Sequence, residues 1–207
     1  MRQFLALVLL LTMSSFVWAD YDEGIEYKLL KKAQPAPTDG TVEVIEFFSY
    51  ACPHCYRFEP YIEQWMKTKP DNIKLIQVPA VFNANWESLA RLYYAAEVLG
   101  VQDKIHPIIF ESMHGEGKHA RSLDDLKVVF EANGVSGEQL EKAMNSFTVA
   151  AKTRKAKNMT KAYAIESVPN IVVQGKYMTN GTLAESHDNV FKVVDFLAEK
   201  ITADTKK

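Results

Sequence analysis

Residues 41–59 read TVEVIEFFSYACPHCYRFE, and this stretch carries the strongest structural signal in the chain. Thr41 to Ser49 is rich in β-branched and aromatic residues and is apolar on both faces, which predicts a buried central strand. Cys52 follows directly, and large apolar residues then recur at helical spacing. These residues are Phe58, Tyr61, Ile62 and Trp65. The pattern predicts a strand followed by a helix that begins at the pair Cys52 and Cys55.

A second strand and a long helical region follow this segment. Ile73 to Val78 is predicted to be a strand that ends at Pro79. Residues 86–163 show helical patterns throughout, with a further long helix over 149–163. Two helix starts in this region have the sequence of a capping box. They are Ser122 with Asp125, and Ser136 with Gln139.

The C-terminal part returns to alternating β and α patterns. Asn170 to Gln174 is predicted to be a strand, Gln174-Gly175 a tight turn, and Lys176 to Thr179 the hairpin partner. Asn189 to Ile201 is predicted to be the closing helix. A β-α-β start, a helical middle and a β-β-α end indicate one α/β domain interrupted by a helical insertion.

The composition is that of an ordinary soluble globular protein. The chain has 207 residues, of which 47% are hydrophobic and 24% are charged. Its formal net charge of −2 gives no electrostatic footprint for nucleic acid or for an anionic membrane surface. We therefore expect no nucleic-acid partner, and because no later stretch could cross a bilayer, we expect the mature protein to be soluble.

The N-terminus has the pattern of a secretory signal peptide over residues 1–19. Met1-Arg2 supplies a positive start, Phe4 to Thr12 is apolar, and Val17-Trp18-Ala19 ends in a small residue before an acidic stretch. A membrane anchor is the alternative, but the apolar run is short for a span of about 20 residues. The pattern predicts export, with cleavage after Ala19.

The chain contains only two cysteines, Cys52 and Cys55. A disulfide between them closes too small a ring to stabilise the fold much, which favours a chemical role. The N-terminus of a helix carries partial positive charge and unpaired N–H groups that stabilise a thiolate on Cys52, and His54 can add charge or a hydrogen bond. Because the thiolate exists only in the reduced form, its stabilisation makes the disulfide more oxidising. We expect Cys52 to be the exposed sulfur and Cys55 to be its buried resolving partner.

Metal or haem binding is the main alternative for a C-x-x-C pair. A structural zinc site needs four ligands, and no second cysteine pair exists to complete one. A mixed site would need two of the five histidines, none of which shows convincing ligand spacing. Covalent haem attachment requires a histidine after the second cysteine, where this chain has Tyr56. Redox chemistry without a cofactor or a metal is therefore the favoured interpretation.

The segment from Glu46 to Glu59, with the core Cys52-Pro53-His54-Cys55, resembles the active-site segment of DsbA-type periplasmic disulfide oxidases. Three further segments are similar to the same family, so that the resemblance spans nearly the whole mature chain. They are residues 21–27, Val168-Pro169-Asn170 and Gly175-Lys176-Tyr177. The resemblance implies a thioredoxin fold with a helical domain inserted in the middle. The corresponding division is 20–85 and 161–207 for the thioredoxin-like domain and 86–160 for the insertion.

The resemblance also implies roles for residues outside the cysteine motif. Pro169 would be a cis proline facing the cysteines, and the backbone of Val168 would pair with an incoming extended peptide; the alternative is an ordinary proline at the start of a strand. Glu46 would lie beneath the active site and assist proton movement at the buried cysteine, unless it is a strand-end carboxylate that reaches water. Glu59 matches another acidic position of the family, but as a helix-surface residue it is expected to be solvated.

The predicted function is a periplasmic thiol:disulfide oxidoreductase that donates its Cys52–Cys55 disulfide to reduced, newly exported proteins. The resemblance implies a membrane quinone-linked oxidase, of the DsbB type, as the partner that restores the disulfide. The protein is expected to be a monomer. Two alternatives are a disulfide reductase or isomerase of the same fold, and a thiol-dependent chaperone that binds clients without turnover.

Overall fold

A computed structural model describes residues 20–117, 120 and 122–205, so the predicted signal peptide lies outside the described residues. The described part contains five strands and seven helices. In chain order they are β1 (Lys28–Leu29), β2 (Val42–Phe48), α1 (Pro53–Met66), β3 (Ile73–Pro79), α2 (Ala84–Val98), α3 (Gln102–His114), α4 (Leu123–Ala132), α5 (Gly137–Met144), α6 (Phe147–Ala162), β4 (Asn170–Val173), β5 (Tyr177–Thr179) and α7 (His187–Thr205).

The five strands form one mixed sheet in the order β1-β5-β4-β2-β3. β2 and β3 are parallel, with Glu46 opposite Gln77, and α1 connects them as the crossover helix. β4 runs antiparallel to β2, and β5 and β1 continue the sheet antiparallel. Because β2 and β4 are antiparallel neighbours, the C-terminal end of β2 and the N-terminal end of β4 lie side by side at one end of the strands.

Two apolar clusters form the core of the protein. One contains Ile45, the buried cysteines and most of the buried side chains of the inserted helices. The other joins Val44 of β2 to Ile62 of α1 and Val194 of α7. The fold is thus a thioredoxin fold with a helical insertion, as the element pattern and the family resemblance predicted.

Local sequence signals account for most of the element boundaries. Both predicted capping boxes are present, at Ser122 and at Ser136. The predicted hairpin is also present, and Gln174 and Gly175 have φ values of 50° and 58°, as its tight turn requires. A side chain at position 175 would collide with the carbonyl oxygen of Gln34, so this turn requires glycine.

Strands β3 and β1 differ from the sequence-based expectation. β3 includes Pro79, because β3 is an edge strand on which a missing N–H leaves no partner unpaired. β1 was not predicted, since two residues are too few to show a periodic pattern. The division at residues 85/86 and 160/161 stays a prediction, and both boundaries fall inside helices, α2 and α6. None of the described helices combines the length and apolar character needed to cross a membrane.

Candidate active site

The two cysteines lie where β2 passes into α1. Cys52 is the N-cap of α1 and Pro53 is its first residue, a position where the missing N–H of proline costs no helical hydrogen bond. Both sulfurs are free thiols in this structure. Cys52 is 8% exposed and Cys55 is completely buried. The expectation of a buried Cys55 is confirmed, whereas Cys52 is less exposed than expected because its sulfur packs against the loop before β4.

The thiol of Cys52 is much more acidic than a free cysteine. Its pKa is lowered to about 6, chiefly by a hydrogen bond from the thiol of Cys55 and further by the backbone N–H groups of Cys55 and His54. Partial burial opposes this effect, and the charge of His54 makes the smallest contribution. The N-terminus of the helix therefore stabilises the anion as predicted, but the second cysteine contributes most.

His54 is exposed and turns toward the next turn of α1. Arg57 donates a hydrogen bond from Nη2 to Nδ1 of the imidazole over 2.9 Å. An imidazole that accepts a hydrogen bond at Nδ1 carries no proton on that nitrogen. The Nδ1 atom of His54 is therefore engaged with Arg57, and His54 contacts the Cys52 thiol through its backbone N–H group.

Val168 and Pro169 lie directly opposite Cys52. The peptide bond between them is cis, and the Sγ atom of Cys52 is 3.5 Å from the carbonyl oxygen of Val168. Pro169 immediately precedes β4, whose first residue is Asn170. The structure thus brings Val168-Pro169 close to the cysteine pair, at the C-terminal end of β2.

Glu46 lies in the middle of β2 and is completely buried. Gln77 donates a hydrogen bond from Nε2 to its Oε2 atom over 2.8 Å, while no donor among the described residues reaches Oε1. Burial raises the pKa of Glu46 well above its ordinary value, and the nearby Glu59 carboxylate raises it further. The alternative that Glu46 reaches water at a strand end is therefore wrong.

The thiol of Cys55 is much less acidic than a free cysteine. Burial raises its pKa most, followed by its hydrogen bond with Cys52 and by the carboxylate of Glu46. Cys55 and Glu46 therefore both favour their protonated forms, and each disfavours a negative charge on the other.

The expectation that Glu59 is solvated is wrong. Its side chain is only 12% exposed, because it turns inward from α1 toward His106 of α3. The Nε2 atom of His106 is 3.3 Å from Oε1 of Glu59, and its Nδ1 atom is 2.8 Å from the hydroxyl of Tyr50. Sequence reasoning considered His106 only as a metal ligand, since a single histidine on the apolar face of a helix carries no other signal.

No cluster of three or more potential metal ligands occurs among the residues that the structure describes. Of the five histidines, His119 lies outside these residues.

Comparison with known proteins gives a consistent assignment. A model of the family described as DSBA-like thioredoxin domain matches residues 43–190. The thiol:disulfide interchange protein DsbA of Pseudomonas aeruginosa is 34% identical over 188 residues, which cover 91% of this chain and 89% of that protein. The DsbA of Burkholderia cepacia is 37% identical over 180 residues, covering 86% of this chain and 84% of that protein.

Solved structures of this family have the same fold. The crystal structure of Pseudomonas aeruginosa DsbA superposes with a TM-score of 0.82 at 34% identity, covering 90% of this chain and 97% of that one. The oxidoreductase DsbA from Xylella fastidiosa superposes with a TM-score of 0.78 at 30% identity, covering 86% and 96%. The match extends through both cysteines, Val168-Pro169 and the inserted helices. The chain therefore belongs to the DsbA family of thioredoxin-fold thiol:disulfide oxidoreductases.

Proposed function

We propose that this protein donates its Cys52–Cys55 disulfide to reduced, exported client proteins in the periplasm. The observation that carries the proposal is the opposite displacement of the two thiol pKa values. That of Cys52 is lowered to about 6, and that of Cys55 is raised. A stabilised thiolate on Cys52 favours the reduced form of the pair and therefore makes its disulfide a strong oxidant.

The exchange proceeds in two balanced steps. A client thiolate attacks the sulfur of Cys52, the bond to Cys55 breaks, and the Cys55 sulfur leaves with the electron pair and takes up a proton. A second client thiolate then attacks the client sulfur of this mixed disulfide, and Cys52 leaves as a thiolate. The client loses two electrons in forming its disulfide, and the cysteine pair gains them, so no cofactor is required.

The surroundings of the pair suggest a role for each predicted site residue. The low pKa of Cys52 makes it the better leaving group, which favours release of the client. We assign the pairing with an extended client peptide to the backbone of Val168, whose position beside Cys52, before the cis Pro169, supports this role. We assign to Glu46 the supply of the proton that the buried Cys55 takes up, because burial raises the pKa of Glu46 and its carboxyl group therefore holds a proton more readily than a free carboxyl group. Pro53 and His54 shape the N-terminus of α1 around the thiolate.

The family and the predicted signal peptide support the proposed cellular location and the proposed partners of this protein. The proposed site of action is the periplasm, where disulfides persist. A membrane quinone-linked disulfide oxidase of the DsbB type would restore the Cys52–Cys55 disulfide, and the proposed working form is a monomer. The division of the chain into 20–85, 86–160 and 161–207 is part of the same proposal.

The decisive experiment mixes the oxidised protein with a reduced, unfolded peptide that contains two cysteines. The expected result is rapid formation of one peptide disulfide for each Cys52–Cys55 disulfide that is consumed. Cys52→Ser is the control and is expected to be inactive. Reduction of insulin without peptide oxidation would assign the protein to the reductases, and full client protection by the Cys52→Ser protein would assign it to the chaperones.

A further inference from the structure

His106 is a buried titratable residue to which the proposed exchange assigns no role. It is 7% exposed and packs against the rings of Phe48, Tyr93 and Phe110. Burying an ionisable ring in such a place is unfavourable unless polar partners compensate. The structure provides these partners at both ring nitrogens, which distinguishes His106 from a histidine that only fills space.

The two nitrogens of the ring have different surroundings. Nδ1 is 2.8 Å from the Tyr50 hydroxyl, which can accept a hydrogen bond from it both in the cation and in the neutral Nδ1–H tautomer. Nε2 lies 3.3 Å from Oε1 of Glu59 and 3.4 Å from the amide nitrogen of Gln77. As a cation, the ring donates from Nε2 toward the Glu59 carboxylate; after losing that proton, Nε2 can accept from the Gln77 amide. Tyr50 thus holds the ring while Nε2 gains and loses a proton.

Nε2 is connected to Glu46 through a short series of polar groups. The Gln77 amide nitrogen that is near His106 also donates to Oε2 of Glu46. Oε1 of Glu46 and Oε1 of Glu59 are buried and have no aligned hydrogen-bond donor among the described residues. The charge of Glu59 also raises the pKa of Glu46, so the two carboxyl groups interact electrostatically.

This polar series ends at an open cavity of about 1340 Å³ between the sheet and the inserted helices. His106, Glu59 and Gln77 all line the cavity, whereas Glu46 does not. The three residues therefore lie between the cavity and the buried carboxyl group. They offer polar groups along a path for a proton between solvent and Glu46 on this side of the sheet.

We propose that His106 is a positioning residue that carries protons between the open cavity and Glu46 by way of the Glu59 carboxylate, while the Gln77 amide holds the Glu46 carboxyl group by its hydrogen bond. This inference rests on the proposed function, in which Glu46 exchanges a proton with Cys55. During client oxidation the Cys55 sulfur takes a proton from Glu46, Glu46 recovers one by way of His106, and His106 recovers one from a solvent acid in the cavity. When the disulfide re-forms, the same proton moves in the opposite direction.

Other titratable groups near His106 also affect how the rate of this proton transfer depends on pH. Glu59 of α1, Glu46 of β2, Tyr50 of the preceding loop and Tyr93 of α2 face the ring or its partners. The cavity walls carry charges of both signs farther away, among them Glu63, Glu97, Asp103, Lys67, Arg154 and Lys155. Glu59 is the carboxylate in direct contact with Nε2, at 3.3 Å.

An aromatic disulfide that releases a coloured thiolate tests the proposal on the full-length dithiol protein. The first equivalent of coloured thiolate reports attack by Cys52 and formation of a mixed disulfide. The second reports attack by Cys55 on that mixed disulfide, for which Cys55 must first lose its proton. The two phases therefore separate the thiolate of Cys52 from proton removal at Cys55.

In His106→Gln, the rate of the second phase is expected to fall about tenfold or more at neutral pH. This rate should also depend less on pH than in the wild type, whereas the rate of the first phase should be unchanged. His114→Gln is the matched control, because His114 lies on the same helix and contacts the carbonyl oxygen of Tyr50 but none of the carboxylates. Its second phase should keep the wild-type profile. In His106→Ala, added imidazole is expected to restore the second phase, a recovery that a purely structural role does not predict.

An unchanged second-phase profile in His106→Gln overturns the proposal, as does the absence of imidazole rescue in a folded His106→Ala protein. If His106→Ala does not fold, Glu59→Gln replaces it, since this variant keeps the shape of the side chain and removes the charge beside Nε2. In Glu59→Gln, the rate of the second phase should show the same weaker dependence on pH that is expected for His106→Gln. Failure of the wild-type protein to oxidise the two-cysteine peptide contradicts the proposed function instead and is measured separately.

Discussion

The Sγ atom of Cys52 lies 3.5 Å from the carbonyl oxygen of Val168. A carbonyl oxygen accepts a hydrogen bond from a thiol but repels a thiolate, so this side of the sulfur favours the protonated form. The low pKa of Cys52 must therefore arise on its other side, where the thiol of Cys55 and the first N–H groups of α1 point toward it. The reactive sulfur is thus held between a surface that can bind a client backbone and a helix end that stabilises an anion.

The first prediction concerns the contribution of Cys55 to the acidity of Cys52. Cys55→Ala removes the hydrogen bond to the thiolate, whereas Cys55→Ser keeps a donor of nearly the same size. We expect Cys55→Ala to raise the pKa of Cys52 by about 1 to 2, since a hydrogen bond to a charged group contributes roughly 1.5–3 kcal/mol. Cys55→Ser should raise it less. Thiolate absorbance as a function of pH measures both values, and equal pKa values in the two variants would contradict the assignment.

The second prediction concerns stability as a function of pH. Cys52 ionises at about pH 6 in the folded dithiol protein and at about pH 8.5 in an unfolded chain. A lowered folded-state pKa stabilises the fold above the unfolded value, and this contribution is lost as pH falls through the folded value. The free energy of unfolding of the reduced protein should therefore increase, relative to that of the oxidised protein, between about pH 6 and 8.5.

Denaturant unfolding of both redox forms at several pH values measures this difference. The oxidised form has no titrating thiol and serves as the reference, so that other groups largely cancel. In a Cys52→Ser protein the pH-dependent difference from the oxidised wild type should be absent between pH 6 and 8.5. A difference that is flat in the wild type over this range would show that Cys52 is not ionised there.

The third prediction concerns Glu46. Its raised pKa means that the fold is destabilised increasingly as pH rises above about 4.3, the value for an unfolded chain. Glu46→Gln removes the ionisable group and keeps the shape, so we expect an unfolding free energy higher by about 1–3 kcal/mol at pH 7, together with slower proton transfer at Cys55. Glu43→Gln, on the same strand but only half buried, is the control and should give a smaller gain. A less stable Glu46→Gln protein would contradict the prediction.

Most of the architecture could be predicted because its signals are local. The strand at 42–48, the helix that begins at the cysteines, the capping boxes at Ser122 and Ser136 and the turn at Gly175 each depend on a few adjacent residues. The buried position of Glu46 was implied by the family resemblance, whereas its unusual place within an apolar strand marked it as a candidate but left a solvated carboxylate as the alternative.

The polar surroundings of the site could not be predicted in the same way. Tyr50, Glu59 and His106 belong to a loop and two helices, and only the packing of α3 against α1 brings them together. His54 shows a related difficulty, because the sequence places it beside Cys52 but does not show that Arg57 binds its ring. Side-chain direction and partners separated by many residues depend on tertiary structure, to which a motif gives no access.

The last prediction concerns the hydrogen bond between Gln77 and Glu46. Gln77→Met keeps the length of the side chain but removes the donor to Oε2, and because that bond lowers the pKa of Glu46, its loss should raise the pKa further. We expect the variant to be less stable than the wild type by about 1–3 kcal/mol at neutral pH, and by less at acidic pH, where Glu46 is protonated in both states.

A double-mutant cycle isolates this pair from other effects of the substitution. In a Glu46→Gln background the buried charge is absent, so Gln77→Met should cost less than it does in the wild type, and the two substitutions should be non-additive. Urea unfolding at pH 5 and pH 7.5 provides the four free energies. If the two substitutions are simply additive at both pH values, the contact contributes nothing specific to the buried carboxyl group. Non-additivity that grows with pH, by contrast, requires Gln77 to act on the ionised form of Glu46.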